Sequence, residues 1–229
     1  MTFETDRVAS EREVKVPAGR HQLEGILIVP SGARGIVVFA HGSGSGRFSP
    51  RNQQVARSLQ KGGLATLLLD LLEETEAQDR DKVFDIELLA ERLEFTADWL
   101  AHEPDTCALR LGYFGASTGA GAALVAAARQ RGIIGAVVSR GGRPDLAWDD
   151  LPAVQAPTLF LVGGNDAAVL GLNEEALACL NCPRELKVIP GTTHLFPEPG
   201  ALDEVARLAE QWFQRYLTSG DAPPPPRKG

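Results

Sequence analysis

Apolar positions fall along the chain in two alternating kinds of run. The short, mostly continuous runs are Gly35 to Ala40, Leu64 to Leu69, Leu109 to Phe114, Ile133 to Ser139 and Pro157 to Val162, and Glu185 to Ile189 is expected as the last strand. Where apolar residues do not alternate with polar ones, both faces of a strand are covered, as in a parallel sheet. Between these runs the period changes. Gln53 to Lys61 predicts a short helix closed by Gly62-Gly63, and Phe84 to Ala101 a longer one, with Ile86, Leu89, Leu93, Ala97 and Leu100 at three- and four-residue steps. Ala120 to Arg131 predicts an Ala-rich helix. Asn173 is placed to cap a short helix reaching Leu180. Leu202 to Tyr216 predicts an amphipathic helix with Leu202, Val205, Ala209, Trp212 and Tyr216 on one face. Ahead of all this, Val14 to Val16, then Leu23 and Gly25 to Val29, separated by Pro17-Ala18-Gly19, predict an antiparallel hairpin. The acidic stretch Glu73 to Asp81 has no apolar period and is expected to be a loop. Strand and helix therefore alternate from residue 35 onward, which predicts an α/β fold: a mostly parallel sheet with helices on both faces. No repeat or internal boundary is visible, so residues 1–219 are expected to form one domain. Residues 220–229, with Pro223 to Pro226, are expected to be a flexible Pro-rich tail.

Composition narrows the function classes. The 229 residues are 44% hydrophobic and 23% charged, an ordinary globular balance. The net charge of -7 argues against nucleic acid or an anionic membrane as the main partner. No apolar run approaches the roughly 20 residues that cross a bilayer. Met1 to Arg20 is polar and mixed in charge, unlike a signal peptide, so a cytoplasmic location is expected. Cys107, Cys179 and Cys182 are too few and too odd in number for a disulfide framework. Cys179-x-x-Cys182 has no second pair to complete a zinc site. No metal or cofactor is expected.

One stretch organises the rest. Gly115-Ala116-Ser117-Thr118-Gly119 follows a strand run and opens a helix run. A strand that turns directly into a helix leaves its apical residue strained, and only small residues two places either side let the two elements close. Such a turn lifts the Ser117 hydroxyl above the sheet edge and aims the Thr118 N–H at an oxygen that becomes negative during acyl transfer.

A serine hydroxyl needs a histidine base, and that histidine a carboxylate to fix its tautomer. Of four histidines, His21 lies in the N-terminal hairpin and His102 ends a helix, where a helix-dipole contact accounts for it. His41 begins a Gly-rich turn and is assigned to orienting that turn. His194 follows the last strand, with Gly191 before it and Phe196-Pro197 after it. Asp166 follows the preceding strand in a Gly-Gly-Asn-Asp turn. Loops at the carboxyl ends of parallel strands converge on one crevice, so Ser117, Asp166 and His194 can meet there. Asp145 is the alternative carboxylate, and Asp70 reaches only the crevice edge. The second oxyanion donor is expected from His41-Gly42-Ser43-Gly44, with the Ser43 N–H first and Gly44 next. Arg140, directly after a strand, and Arg47 are candidates to hold a substrate carboxylate; Arg51 and Arg143 lie in the same set of loops.

Taken in order, His41-Gly42, Gly115-x-Ser117-x-Gly119, Gly164-x-Asp166 and Gly191-x-x-His194 resemble the α/β-hydrolase superfamily. The small size, and the absence of a lid insertion between Ser139 and Pro157, resemble its dienelactone hydrolase-like group. The resemblance covers roughly residues 13 to 217. It implies an eight-stranded sheet and hydrolysis of a small-molecule carboxylic ester or lactone through an acyl-enzyme. Dienelactone hydrolases proper carry a cysteine where this chain has Ser117, so a general serine esterase is the activity expected. A peptidase, a carbon–carbon hydrolase and a perhydrolase share the fold, and a non-catalytic ligand-binding module is the rival of a different class.

Overall fold

The predicted hairpin is two long antiparallel strands, β1 (Ser10–Ala18) and β2 (His21–Val29), at one side of the sheet. The computed structural model describes residues 10–218, so the expectation for the tail 220–229 lies outside the described residues. The other strands are β3 (Gly35–Ala40), β4 (Ala65–Leu69), β5 (Arg110–Ala116), β6 (Ile134–Arg140), β7 (Thr158–Gly163) and β8 (Arg184–Ile189). They form one eight-stranded sheet in the order β1-β2-β4-β3-β5-β6-β7-β8. Pairing is antiparallel as far as β2 and β4 and parallel from β4 to β8. Every residue of β3 through β7 is buried except Arg110, as their unbroken apolar runs require.

The helices are α1 (Pro50–Lys61), α2 (Arg80–Val83), α3 (Ile86–Leu100), α4 (Thr118–Arg129), α5 (Ala167–Cys179) and α6 (Ala201–Leu217). On one face α3 and α4 bury Leu93, Ala97, Ala123 and Ala127 with Val38, Tyr113 and Val137. On the other, α1 and α6 bury Val55, Leu59, Val205 and Phe213 with Phe39, Phe114 and Val138. Burying both faces is what makes a mostly parallel sheet stable.

Three elements differ from expectation, each for a local reason. Helix α1 starts at Pro50, because a proline at the first turn has the helical φ already set and lacks only an N–H that would have no partner. The acidic segment is not a plain loop: Glu76–Gln78 form a 3-10 turn and α2 follows, its first turn capped by the Asp79 carboxylate accepting from the Asp81 N–H. Capping organises this piece, so hydrophobic period could not reveal it. Asn173 caps nothing. It lies inside α5, fully buried, donating from Nδ2 to Gly142 O at 3.0 Å and Val169 O at 2.7 Å.

Register decides where function can sit. Ala40 pairs with Gly115, Ala116 with Arg140, and Gly163 with Ile189. The loops beginning at His41, Ser117, Gly141, Gly164 and Pro190 therefore leave the sheet at one edge.

Two glycines predict opposite outcomes. A side chain at Gly119 would overlap the carbonyls of Ala40 and His41, whereas one at Gly171, inside α5, would meet nothing within 4 Å. In thermal melts, Gly171→Ala is expected to gain about 0.5–1 kcal/mol. Gly119→Ala is expected to yield no cooperatively folded protein.

Candidate active site

Ser117 is the single residue between β5 and α4, with φ +51° and ψ -121°. A residue with a Cβ avoids this region unless its surroundings impose it. Here they do. The Ser117 N–H donates to Arg140 O at 3.3 Å, and its carbonyl accepts from the N–H groups of Ala120 and Arg143, both at 3.1 Å. A Cβ on Gly115 would overlap the Ala120 backbone, and one on Gly42 would come within 2.9 Å of Ser117 Cβ. The exits of β3, β5 and β6 are thus in backbone contact around the serine.

The loop after β8 carries His194 and is braced at several points. Thr192 Oγ1 donates to Ile189 O at 2.8 Å, and Thr193 donates to Glu198 Oε1 from its N–H at 3.0 Å and its hydroxyl at 2.7 Å. Phe196, at φ +54°, is buried in the α1/α6 core and anchors the loop. The imidazole Nδ1 lies 2.7 Å from Asp166 Oδ2. Asp166 sits in the turn after β7, its N–H on Gly163 O at 3.0 Å, and Asn165 N–H donates to Thr192 O at 2.8 Å, lacing the two loops together. The carboxylate is mostly covered, while the imidazole side chain keeps 38% of its exposure.

Gly141, at φ +50°, lies flat against this ring: a Cβ there would sit 3.4 Å from Nδ1 and Cε1. Because Gly141 follows Arg140, whose carbonyl holds Ser117, the exit of β6 brings all three candidate residues into one neighbourhood. Among the described residues no hydrogen bond joins Ser117 Oγ to the imidazole, and Nε2, the ring nitrogen away from Asp166, is uncommitted.

The alternatives are engaged elsewhere. Asp145 binds Arg143 through two contacts, 2.8 and 2.7 Å. Asp70 pairs with Arg47. His41 Nδ1 lies 3.2 Å from Gly42 O in its own turn, and burial lowers its pKa, so it stays neutral. His21 faces Glu73 at 3.0 Å, and His102 Nδ1 lies 2.7 Å from Asp98 O at the end of α3. His21, Glu73 and Glu76 are the one cluster of metal-type ligands among the described residues, but Glu76 is already paired with Arg92 and Lys82. Cys182 is buried and Cys179 lies at the end of α5; neither is disulfide-bonded.

Ser43 and Thr118, both expected to offer an N–H to an oxyanion, are instead joined to each other. The Ser43 N–H donates to Thr118 Oγ1 at 3.1 Å. Both line an open cleft of about 790 Å³ that continues past Gly42, Arg47 and Asp70 toward Glu24, Glu73 and Val83.

The two arginines contrast. Arg47 is tied to Asp70 and to Glu24, the latter at 2.5 Å, so its charge is already matched and it braces the β3 exit loop; as a carboxylate-binding candidate it is displaced by two carboxylates of the protein itself. Arg140 is only 7% exposed, and its Nε and Nη1 have no hydrogen-bond partner among the described residues. Burial, helped by the nearby charge of Arg51, pushes its pKa down to about 10, so it is still a cation at neutral pH. Arg51, expected in the same set of loops, lies instead in the first turn of α1, where the helix dipole disfavours a cation, and its Nε is buried with no hydrogen-bond partner among the described residues. Phe196, Glu198 and Asn173 were not assigned their bracing roles, since each depends on a partner distant in sequence or on backbone geometry.

The profile of the dienelactone hydrolase family matches residues 23–219. The chain is 56% identical to the dienelactone hydrolase from Anabaena variabilis, whose crystal structure superposes with a TM-score of 0.89 over 91% of this chain and 99% of that one. It is 58% identical over 207 residues to a Mycobacterium tuberculosis protein whose name assigns it provisionally to the phosphoribosyl transferases; the match covers 90% of this chain and 47% of that protein. The chain thus spans about half the length of the curated relatives it matches. Est1E from Butyrivibrio proteoclasticus, 16% identical, shares the fold with a TM-score of 0.77 over 89% of this chain and 98% of that one.

An interior cation without a counter-charge is destabilising. Arg140→Met is therefore expected to raise stability by about 1–3 kcal/mol in a urea melt. A loss of stability would mean the guanidinium has a partner in solution.

Proposed function

The chain belongs to the dienelactone hydrolase family, and from that premise we propose that it is a serine hydrolase cleaving carboxylic esters or lactones through an acyl-enzyme. The observation that carries the reading is a serine forced to φ +51° at a strand-to-helix turn, beside an imidazole whose Nδ1 lies 2.7 Å from a covered carboxylate. His194 Nε2 takes the Ser117 proton as Oγ attacks the carbonyl carbon. Nδ1–H donates to Asp166, which fixes the tautomer and stabilises the imidazolium. Catalytic hydrogen bonds tighten when substrate is bound, so the Ser117 Oγ to His194 Nε2 bond is expected to form in the substrate complex. The tetrahedral oxyanion forms on the Ser43/Thr118 side, His194 returns the proton to the leaving alcohol, and water activated by the same imidazole releases the acid. A second carboxylate on the substrate would find an unmatched cation at Arg140, whereas Arg47 offers none.

Phosphoribosyl transfer is attached by name to relatives twice as long as the matched segment, and a half-buried serine at a strained strand-to-helix turn, with an imidazole–carboxylate pair, supports hydrolysis instead. The same group of side chains, none needed by a simple binding module, also favours an enzyme.

A fluorophosphonate probe followed by peptide mapping tests the scheme. Label on Ser117 is expected, with Ser117→Ala unlabelled and its p-nitrophenyl ester turnover down by at least about 10⁴-fold. Asp166→Asn is expected to lower kcat by about 10³–10⁴-fold through the wrong imidazole tautomer. Label on another residue, or unchanged turnover in Ser117→Ala, rules the scheme out.

A further inference from the structure

Thr118 contributes more to this site than its backbone. It is the first residue of α4 and 4% exposed. Its Oγ1 accepts the Ser43 N–H at 3.1 Å, and both residues line the open cleft. Two consequences follow from elementary hydrogen-bond chemistry. The Ser43 N–H carries one hydrogen, and that hydrogen is already given to the threonine. A hydroxyl that accepts one hydrogen bond still has its own hydrogen to donate, and the Thr118 hydroxyl has no acceptor among the described residues. The O–H and the N–H of Thr118 belong to one residue, with two carbons between the oxygen and the nitrogen, so on the serine hydrolase reading both can reach the same oxyanion. An O–H whose oxygen accepts from a backbone amide is polarised toward stronger donation.

We propose that the Thr118 hydroxyl is a catalytic residue that relays the Ser43 N–H: it accepts from Ser43 and donates its O–H to the developing oxyanion, beside its own backbone N–H. The relay rests on the serine hydrolase reading above. No proton is transferred; three hydrogen bonds line up as charge develops on the carbonyl oxygen. The competing behaviour is a plug, in which Oγ1 swings away and Ser43 binds the oxyanion directly. A β-branched side chain, buried in the first turn of a helix, has few rotamers to swing to.

The two behaviours differ in sign when the hydroxyl is removed. Thr118→Val keeps the shape and loses the O–H, while Thr118→Ser keeps it. With p-nitrophenyl acetate, Thr118→Val is expected to lower kcat by about 100-fold, the cost of one oxyanion donor, with KM nearly unchanged. Thr118→Ser is expected to return kcat to near the wild-type value. A Val variant as fast as wild type or faster, or a Ser variant as slow as Val, overturns the relay. If Thr118→Val fails to fold in a thermal melt, Thr118→Ala serves the same comparison. Fluorophosphonate labelling of the wild type separates the two levels of failure. With Ser117 labelled and esters turned over, a fast Val variant removes the relay alone; with neither, the serine hydrolase reading falls and the relay with it.

Discussion

The structure depends on a backbone contact that no side chain would survive. At Gly119 the first turn of α4 presses against the carbonyls of Ala40 and His41, and at Gly42 the exit of β3 presses against Ser117. These approaches hold Ser117 in a backbone conformation that costs on the order of 1–3 kcal/mol. Hydrogen bonds between Ser117 and both Arg140, at the end of β6, and Arg143 beyond it offset that strain. Once three strand exits are locked together here, the loops after β7 and β8 have one edge to occupy, and their mutual bond between Asn165 and Thr192 keeps the imidazole and the carboxylate in step.

Charge around this edge is unevenly matched. On the cleft side, Arg47 lies between Asp70 and Glu24 and steadies the Gly-rich turn. On the α1 side, Arg140 and Arg51 stand close together, each with buried nitrogen that finds no hydrogen-bond partner among the described residues. Folding tolerates this imbalance because the rest of the core is large and apolar on both sheet faces. An unmatched buried cation is the kind of local conflict expected near functional sites.

Hydrophobic period made the strands and long helices legible because β3 to β7 are buried on both faces and α3 and α6 each turn one apolar stripe inward. It failed where other forces organise the backbone. Asp79 caps α2 without an apolar stripe, and Asn173 reads as a cap only until Gly142 appears beside it. The glycine spacing around Ser117 signals the strained turn by itself, since local sterics alone demand small residues there.

The sequence by itself determined the fold class, the place of Ser117 at a strand-to-helix turn, and the shortlist of Asp166 and His194 at strand ends, because all three follow from local pattern and chain order. Only the tertiary structure decided that Arg47 is matched and Arg140 is not, that Asp145 and Asp70 are already engaged, and that the Ser43 amide reaches the Thr118 hydroxyl. Those outcomes depend on residues from 2 to 75 positions apart meeting in a particular orientation. A one-dimensional pattern carries periodicity, but it does not carry orientation.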